Sequence, residues 1–351
     1  MKIGIIGAGT IGQKHAAAAK LAGAEIIWVV DANESAGQAL AQEYQAKYSA
    51  TTDELWSDES VAAVVIGVPN FLHQSLAIEA LEARKDVLLE KPMALSLEEC
   101  QQIAQVADAT GRVLQIGFVH RYTGVGKLAK QIASSGKLGE IYSAKANLYL
   151  RRNVPGLGKW FTTKELSGGG ALIDVGVHLI DLSCHIMDFP EVESVAAQTF
   201  ENFGRRMEAY QYENMWAGPP NLAGICDVED AAQALIRFTN GSTLELHVAW
   251  AGNYPRSFFP DSVMGFFGDQ GGIAFELFGS EVQFTSEHEG KVADESLAVE
   301  DGDFFLDQFR DFQRSVETRI VRGADHKQAC SVQAIVDAIY SSSRQQAALS
   351  L

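Results

Sequence analysis

Apolar and polar positions follow one another with two different periods along this chain, and the changes of period mark its elements. The opening run, KIGIIGAG, is almost unbroken in its apolar character and reads as a buried strand. QKHAAAAKLAG follows as a helix of good formers that Gly23 ends. EIIWVVD reads as a second strand closing on Asp31. The rhythm continues through VAAVVIGVP, the helix-like HQSLAIEALEAR and DVLLEKP, which predicts a doubly wound parallel sheet of βαβ units. Farther on, Ala232 to Phe238 alternates residue by residue, Thr239-Asn240-Gly241 supplies a tight turn, and STLELHVAW alternates again, predicting an antiparallel hairpin. Gly265, Gly268, Gly271 and Gly272 punctuate the strands after it. Between these halves, Leu172, Val175, Leu179, Leu182 and Ile186 recur at helical spacing from Ala171 to Met187. Arg205 to Gly224 has weak periodicity and a Pro-Pro pair, and reads as a connection suited to a lid or a subunit contact.

Composition narrows the function. A chain of 351 residues, 47% hydrophobic and 21% charged, has room for two globular domains. A formal net charge of -17 opposes phosphate backbones and anionic lipid surfaces, so nucleic acid and membranes are poor partners and small molecules better ones. The four cysteines are far apart and form no C-x-x-C, which fits a reducing cytosol and neither a disulfide framework nor a zinc knuckle. No apolar run reads as membrane-spanning, and Met1 to Gly9 lacks the basic region of a signal peptide, so a cytoplasmic location is expected.

Gly7-x-Gly9-x-x-Gly12 directly follows the first strand, and Asp31 ends the next one about twenty residues later, the order of a dinucleotide fingerprint. Gly7 would make the tight turn, Gly9 would admit the pyrophosphate, and Gly12 would let helix and strand approach. Thr10 and Ile11 lie within the loop, at a helix start whose free N–H groups attract phosphate. Asp31 would accept from the ribose 2′-hydroxyl and repel a 2′-phosphate, and Ala32-Asn33-Glu34 offers no cation to hold one, so the cofactor is expected to be NAD rather than NADP. Ligands in such sheets bind beyond the carboxyl ends of strands, where Pro69, Asn70, Glu90 and Lys91 fall. His73, at a helix start, is a further cofactor candidate that could equally cap or pack.

In SGGGALIDVGVHLIDL, Asp174 and His178 lie one helical turn apart, and Asp181 and His185 extend roughly the same stripe. The glycines at 168 to 170 would leave the helix start open to a flat ring. Histidine suits proton transfer to and from a hydroxyl near neutrality. The stripe could also be packing. As a metal site it lacks a completing Cys or Glu cluster, so no metal is expected.

These strings together resemble the Gfo/Idh/MocA family of glucose–fructose oxidoreductase and inositol dehydrogenase-like enzymes. The resemblance rests on GIIGAGTIGQKH, VPNFLH, LLEKPMA, GFVHRY and GGGALIDVGVHLIDL, and continues in VEDAAQALIRFTNGSTLELHVAW, GFFGDQGGIAFE and QAIVDAIYSSS. It implies a Rossmann domain over 1–118, followed by an α/β domain over 119–351 with a large, mainly antiparallel open sheet. It also implies Lys91, Asp174 and His178 as the catalytic site. There His178 would be the general acid/base, Lys91 would hydrogen-bond the reacting oxygen, and Asp174 would orient the substrate or His178. Arg121, Tyr122 and Trp160 join them as candidate substrate contacts, with core packing the alternative for the aromatics. Arg151 and Arg152 either meet an acidic substrate group or form a solvated turn. Val119 stands where the family often has Asn, which puts the substrate class in question.

The expected activity is therefore an NAD-dependent dehydrogenase or reductase acting on a sugar, sugar derivative or cyclitol. The alternatives are a redox-assisted, NAD-dependent glycosidase and a non-catalytic NAD sensor. A homodimer or homotetramer is expected, packed through the open face of the large sheet if that face is apolar.

Overall fold

The computed structural model describes residues 1–351 except 213–216, 256, 258, 259 and 301, and leaves the side chain of residue 288 undescribed. The central part of the Arg205–Gly224 connection thus lies outside the described residues. The chain divides into two units, Met1–Val119 with Asp303–Gln333, and His120–Gly302 with Ala334–Leu351.

In the first unit, strands β1 (Lys2–Ile6), β2 (Glu25–Val30), β3 (Lys47–Ser49), β4 (Ala63–Ile66), β5 (Asp86–Leu89) and β6 (Leu114–Ile116) are separated by helices. These are α1 (Thr10–Leu21), α2 (Glu34–Tyr44), α3 (Asp53–Ser57), α4 (His73–Glu82) and α5 (Leu97–Thr110). The spatial order β6-β5-β4-β1-β2-β3 is parallel throughout and reverses between β1 and β4, the arrangement of a dinucleotide-binding sheet. Every residue of β4 and β5 is buried, which is why both strands read as continuous apolar runs.

The second unit contains β7 (Ile141–Tyr149), β8 (Val192–Phe200), β9 (Ala231–Phe238), β10 (Thr243–Ala249), β11 (Ser262–Gly268), β12 (Gly271–Phe275), β13 (Glu281–His288) and β14 (Lys291–Ala298). Helices α6 (Gly124–Ser134), α7 (Lys164–Ser167) and α8 (Val177–Ile186) accompany them. The sheet is antiparallel apart from the β7–β10 pair. The β9–β10 hairpin turns at Gly241, whose φ of +85° suits glycine. Its outward positions carry Gln233, Leu235 and Arg237 on β9 and Thr243, Glu245 and His247 on β10, while neighbouring β7 contributes Ser143, Lys145 and Asn147. Lys145 and Glu245 pair at 3.0 Å. The open face of these central strands is therefore mostly polar and can meet water unaided, which removes the apolar-face argument for self-association.

Two expectations need correction. The 23-residue stretch Lys164–Ile186 is long and apolar enough by composition to cross a membrane, but 83% of its most apolar part is buried inside the protein, as in the core of a globular unit. Second, the chain after residue 118 does not stay in one unit. Helix α9 (Phe304–Thr318), β15 (Ala324–Asp325) and the first part of α10 (His326–Gln345) belong with the first, while β16 (Leu349–Ser350) pairs with β8 in the second. Phe309 and Phe312 of α9 enter the core around Ile3, Ile5 and Ala16, and β15 extends the parallel sheet at β6 in antiparallel sense. Arg319 ties this segment down by donating to both oxygens of buried Asp86, at 2.7 and 2.8 Å.

The fully buried Phe312 gives α9 a measurable weight. Phe312→Ala should cost about 3–5 kcal/mol in urea unfolding, and should weaken NAD binding only in proportion to the unfolded fraction. A loss below about 1 kcal/mol would show that α9 does not share this core.

Candidate active site

The glycine loop is shaped by three different constraints. Gly7 has a φ of +99° and donates its N–H to Val30 O at 2.8 Å. A Cβ on Gly12 would come within 1.8 Å of Gly7 O, whereas one on Gly9 would meet nothing within 4 Å. Gly12 is thus required by packing inside the protein, and Gly9 leaves its outer side open beside the N-terminus of α1, where Thr10 and Ile11 begin the helix. That geometry fits a pyrophosphate approaching the backbone. Asp31, at the end of β2, accepts the Ala8 N–H at 2.6 Å on Oδ2 and the Asn33 N–H at 2.7 Å on Oδ1. Its carboxylate is held by the loop and by the start of α2, with acceptor capacity left for a ribose hydroxyl.

Five residues proposed from sequence for cofactor contact lie at the ends of β4 and β5 and at the head of α4. Pro69 is half-buried, and Asn70 is buried at the start of a short 3₁₀ turn. His73 has a different place from the one expected of a ligand contact. It is fully buried, with Nδ1 2.7 Å from Pro92 O and Nε2 3.0 Å from Val68 O. Burial pushes the imidazole pKa down against the two carbonyl acceptors, which favour the charged form, and the ring braces two loops. Glu90 is also buried, and each of its oxygens meets the protein: His15 Nε2 at 2.6 Å and the Lys91 N–H at 3.1 Å. It shapes the turn of Lys91 from inside. Lys91 itself is half-buried and precedes a cis bond to Pro92.

In the second unit the segment around Asp174 and His178 is not a uniform α-helix. Leu172–Gly176 forms a π-helical turn that runs into α8. Asp174 is buried and accepts from Trp250 Nε1 at 3.0 Å. His178 is half-buried, and its ring meets that of His120 edge-on at 4.5 Å, with Phe278 a further 5.3 Å from His120. His120 directly follows Val119, the position where the family often has Asn. It stands against His178.

The three glycines before this helix serve a purpose other than leaving room for a ring. A Cβ on Gly169 would lie 2.0 Å from Tyr340 Oη, and one on Gly170 would lie 1.8 Å from Glu229 O. Their bareness lets the Tyr340 ring and the Glu229 backbone come close, and the buried Glu229 carboxylate accepts the Gly170 N–H at 2.9 and 3.0 Å, the Leu172 N–H at 2.9 Å and the Tyr340 hydroxyl at 2.9 Å. Glu229 thereby caps the helix that carries Asp174 and His178. Sequence reasoning missed it, although VEDAAQ was in view: an acidic pair entering an apolar strand was the available signal.

Other candidates have structural roles. Arg121 is buried and donates through Nε and Nη2 to Asp181 at 2.8 and 2.5 Å, so its guanidinium braces α8. This also removes Asp181 from the polar stripe, and burial, with the charge of Arg121, pushes His185 down to about 3. Arg152 donates to Gly252 O and Asn253 Oδ1 and lies over the rings of Phe203 and Tyr210, so it belongs to a folded turn. Tyr122 and Trp160 are half-buried, and Trp160 stacks on Phe161 at 3.7 Å. Among the described residues, no three His, Cys, Asp or Glu side chains converge as a metal site.

Burial pushes the Glu229 carboxyl from 4.5 up to about 7, outweighing its donors. A carboxyl raised in the folded state contributes stability that is intact below the unfolded value and lost as pH rises through the folded one. Between pH 4.5 and 7 that loss amounts to about 3 kcal/mol, at ~1.4 kcal/mol per unit. Glu229→Gln should abolish this portion of the pH dependence, so the stability difference from wild type should change by that amount across the window in urea unfolding. Parallel curves would show that the carboxyl does not titrate there.

Comparison with known proteins agrees with this construction. Residues 1–118 match the family model described as the oxidoreductase family, NAD-binding Rossmann fold, and residues 127–281 match the GFO/IDH/MocA C-terminal domain. D-glucoside 3-dehydrogenase of Escherichia coli K12 is 31% identical over 97% of this chain and 95% of its own. Glucose-6-phosphate 3-dehydrogenase of Bacillus subtilis is 33% identical over 57% of this chain and 58% of its own. Among solved structures, levoglucosan dehydrogenase in complex with NADH and levoglucosan superposes with a TM-score of 0.86 at 21% identity, over 100% of this chain and 99% of that one, a likeness of fold. With the glycine loop, the Glu90-Lys91-Pro92 turn and the capped Asp174–His178 helix in both matched regions, the chain belongs to the Gfo/Idh/MocA family of oxidoreductases and carries its NAD-binding Rossmann fold.

Proposed function

We propose that this protein is an NAD-dependent dehydrogenase that oxidises a secondary hydroxyl of a pyranoside, with the C3 hydroxyl of a D-glucoside as the leading substrate class. The observation that carries this reading is the likeness to a D-glucoside 3-dehydrogenase across 97% of the chain, which includes the Lys91 turn and the Asp174–His178 helix. NAD supplies the hydride acceptor when bound. His178 removes the hydroxyl proton, as a histidine can near neutrality. The Lys91 ammonium donates to the reacting oxygen and favours its alkoxide-like form. Asp174, its Oδ2 fixed by the Trp250 indole, orients the substrate. Half-buried Trp160 and Tyr122 supply flat surface for the apolar face of a sugar ring. Asp31, with both oxygens already turned toward the glycine loop and α2, repels a 2′-phosphate and selects NAD.

The test is NADH formation across alkyl and aryl D-glucosides, 1,5-anhydroglucitol, glucose 6-phosphate and myo-inositol, with the oxidised carbon located by NMR. Glucosides should turn over best and yield the 3-keto product. His178→Ala should lower kcat by about 10²–10⁴-fold. Unchanged turnover in that variant would remove the mechanism, and aglycone release without net NADH would assign a redox-assisted glycosidase instead. Asp31→Ala should tighten NADP binding relative to NAD by about tenfold, since one repulsive charge is worth roughly 1–2 kcal/mol at such a site. An unaltered ratio would place cofactor choice elsewhere.

A further inference from the structure

His15 and Glu90 form a buried acid–base couple that no step of the proposed reaction uses. His15 lies on α1, five residues beyond Thr10, is fully buried and meets the Phe305 ring edge-on at 5.1 Å. Its Nε2 is 2.6 Å from Glu90 Oε1, while its buried Nδ1 has no hydrogen-bond partner. Glu90 immediately follows β5, and its other oxygen accepts the N–H of Lys91 at 3.1 Å. Gly117 closes the other side: a Cβ there would sit 2.9 Å from Glu90 Oε1 and 3.2 Å from its Cα. Burial pushes the Glu90 carboxyl up, but the hydrogen bond and charge of His15, with Lys91 beside it, hold it below the usual range. Since the carboxylate is ionised, Nε2 carries the proton and donates.

Stability alone is a weak reason for such a couple, because buried ion pairs can be replaced by apolar groups with little loss. What an apolar pair could not do is accept the Lys91 N–H. We propose that His15 and Glu90 are positioning residues, a buried link by which the nucleotide-binding helix fixes the backbone of the turn that presents Lys91. This rests on the reading of Lys91 as catalytic. Glu90 accepts the Lys91 N–H on Oε2, and His15, on Oε1, prevents the carboxylate from rotating away. The lysine's backbone is thereby set from the same helix whose first turn faces the cofactor phosphates. A displacement of about 1 Å at a catalytic group is enough to cost two orders of magnitude in rate.

Two readouts test the link. The first is hydrogen exchange of the peptide containing Lys91, which requires no substrate. In His15→Gln and Glu90→Gln, exchange there should accelerate by about tenfold or more while the β1 and β4 peptides stay protected. The second uses a glucoside that turns over. Both variants should lower kcat by about tenfold or more at little-changed KM and NAD affinity. The double variant should be no worse than Glu90→Gln alone, because both act through one contact. Unchanged exchange at Lys91, or kcat losses that multiply in the double variant, would overturn the link. If Glu90→Gln fails to fold, His15→Gln decides by the same two readouts. Lys91→Ala run in parallel separates the failures. Retained turnover there removes the catalytic reading and the link with it. An inactive Lys91→Ala beside unimpaired His15→Gln and Glu90→Gln removes the link alone.

Discussion

A carboxylate taken out of water must be given hydrogen-bond donors, and in this protein the donors are repeatedly backbone N–H groups of a functional turn. Buried Glu90 takes Lys91 and buried Glu229 takes Gly170 and Leu172, while half-buried Asp31 takes Ala8 and Asn33 in the same manner. The same constraint thus fixes the glycine loop, the lysine turn and the head of the helix that carries Asp174 and His178. Each acid lies at or beside the end of a strand, where the ladder stops and backbone groups need new partners. The glycines follow from the acids. Gly117 makes space beside Glu90, and Gly170 lets the Glu229 backbone come close. A motif rich in glycine is here less a hinge than a mould around a buried charge.

This explains which parts of the molecule were legible in the sequence. The Rossmann half could be read because its signals are local: β1, the glycine loop, α1 and Asp31 occupy thirty-one consecutive residues, and buried parallel strands are apolar throughout. The β9–β10 hairpin was legible for the same reason, its alternation and Asn240-Gly241 turn lying within nineteen residues, 231–249. The contacts that position the site are not local. His15 meets Glu90 across 75 residues, Trp250 meets Asp174 across 76, and Tyr340 meets Glu229 across 111. No periodicity encodes such pairings. A His on an alanine-rich helix looks like any packed His until a carboxylate is found opposite it.

Arg121 and His73 show the reverse failure. Both sit in strings that resemble the family's, where polar residues suggest chemistry: Arg121 was read as a substrate contact, and His73 as a cofactor candidate that could equally cap or pack. Arg121 instead neutralises Asp181, and His73 joins Val68 to Pro92. Either group would be costly to bury unsatisfied, so each is placed where fixed partners saturate it. Saturation of this kind is a poor property for a substrate ligand, which must exchange protein partners for water and then for substrate.

The same criterion sorts the remaining candidates by physical role. Lys91 and His178, the groups proposed to act on the substrate, stay half-buried, while Glu90 and Glu229, which accept from the turns that carry them, are buried; Asp174 is as buried as Glu90 and is sorted by its place on the His178 helix instead. An oxidoreductase that takes a hydride from a carbon and a proton from the hydroxyl on it needs its acting groups in contact with the substrate and its holding groups out of contact with water. Exposure of a holding carboxylate would let water compete for the very N–H groups it fixes, and the turn would loosen. Burial of an acting histidine would stop it changing charge during turnover. In the proposed reaction, the difference in burial between the neighbours Glu90 and Lys91 is what separates the holding group from the acting one within a single motif.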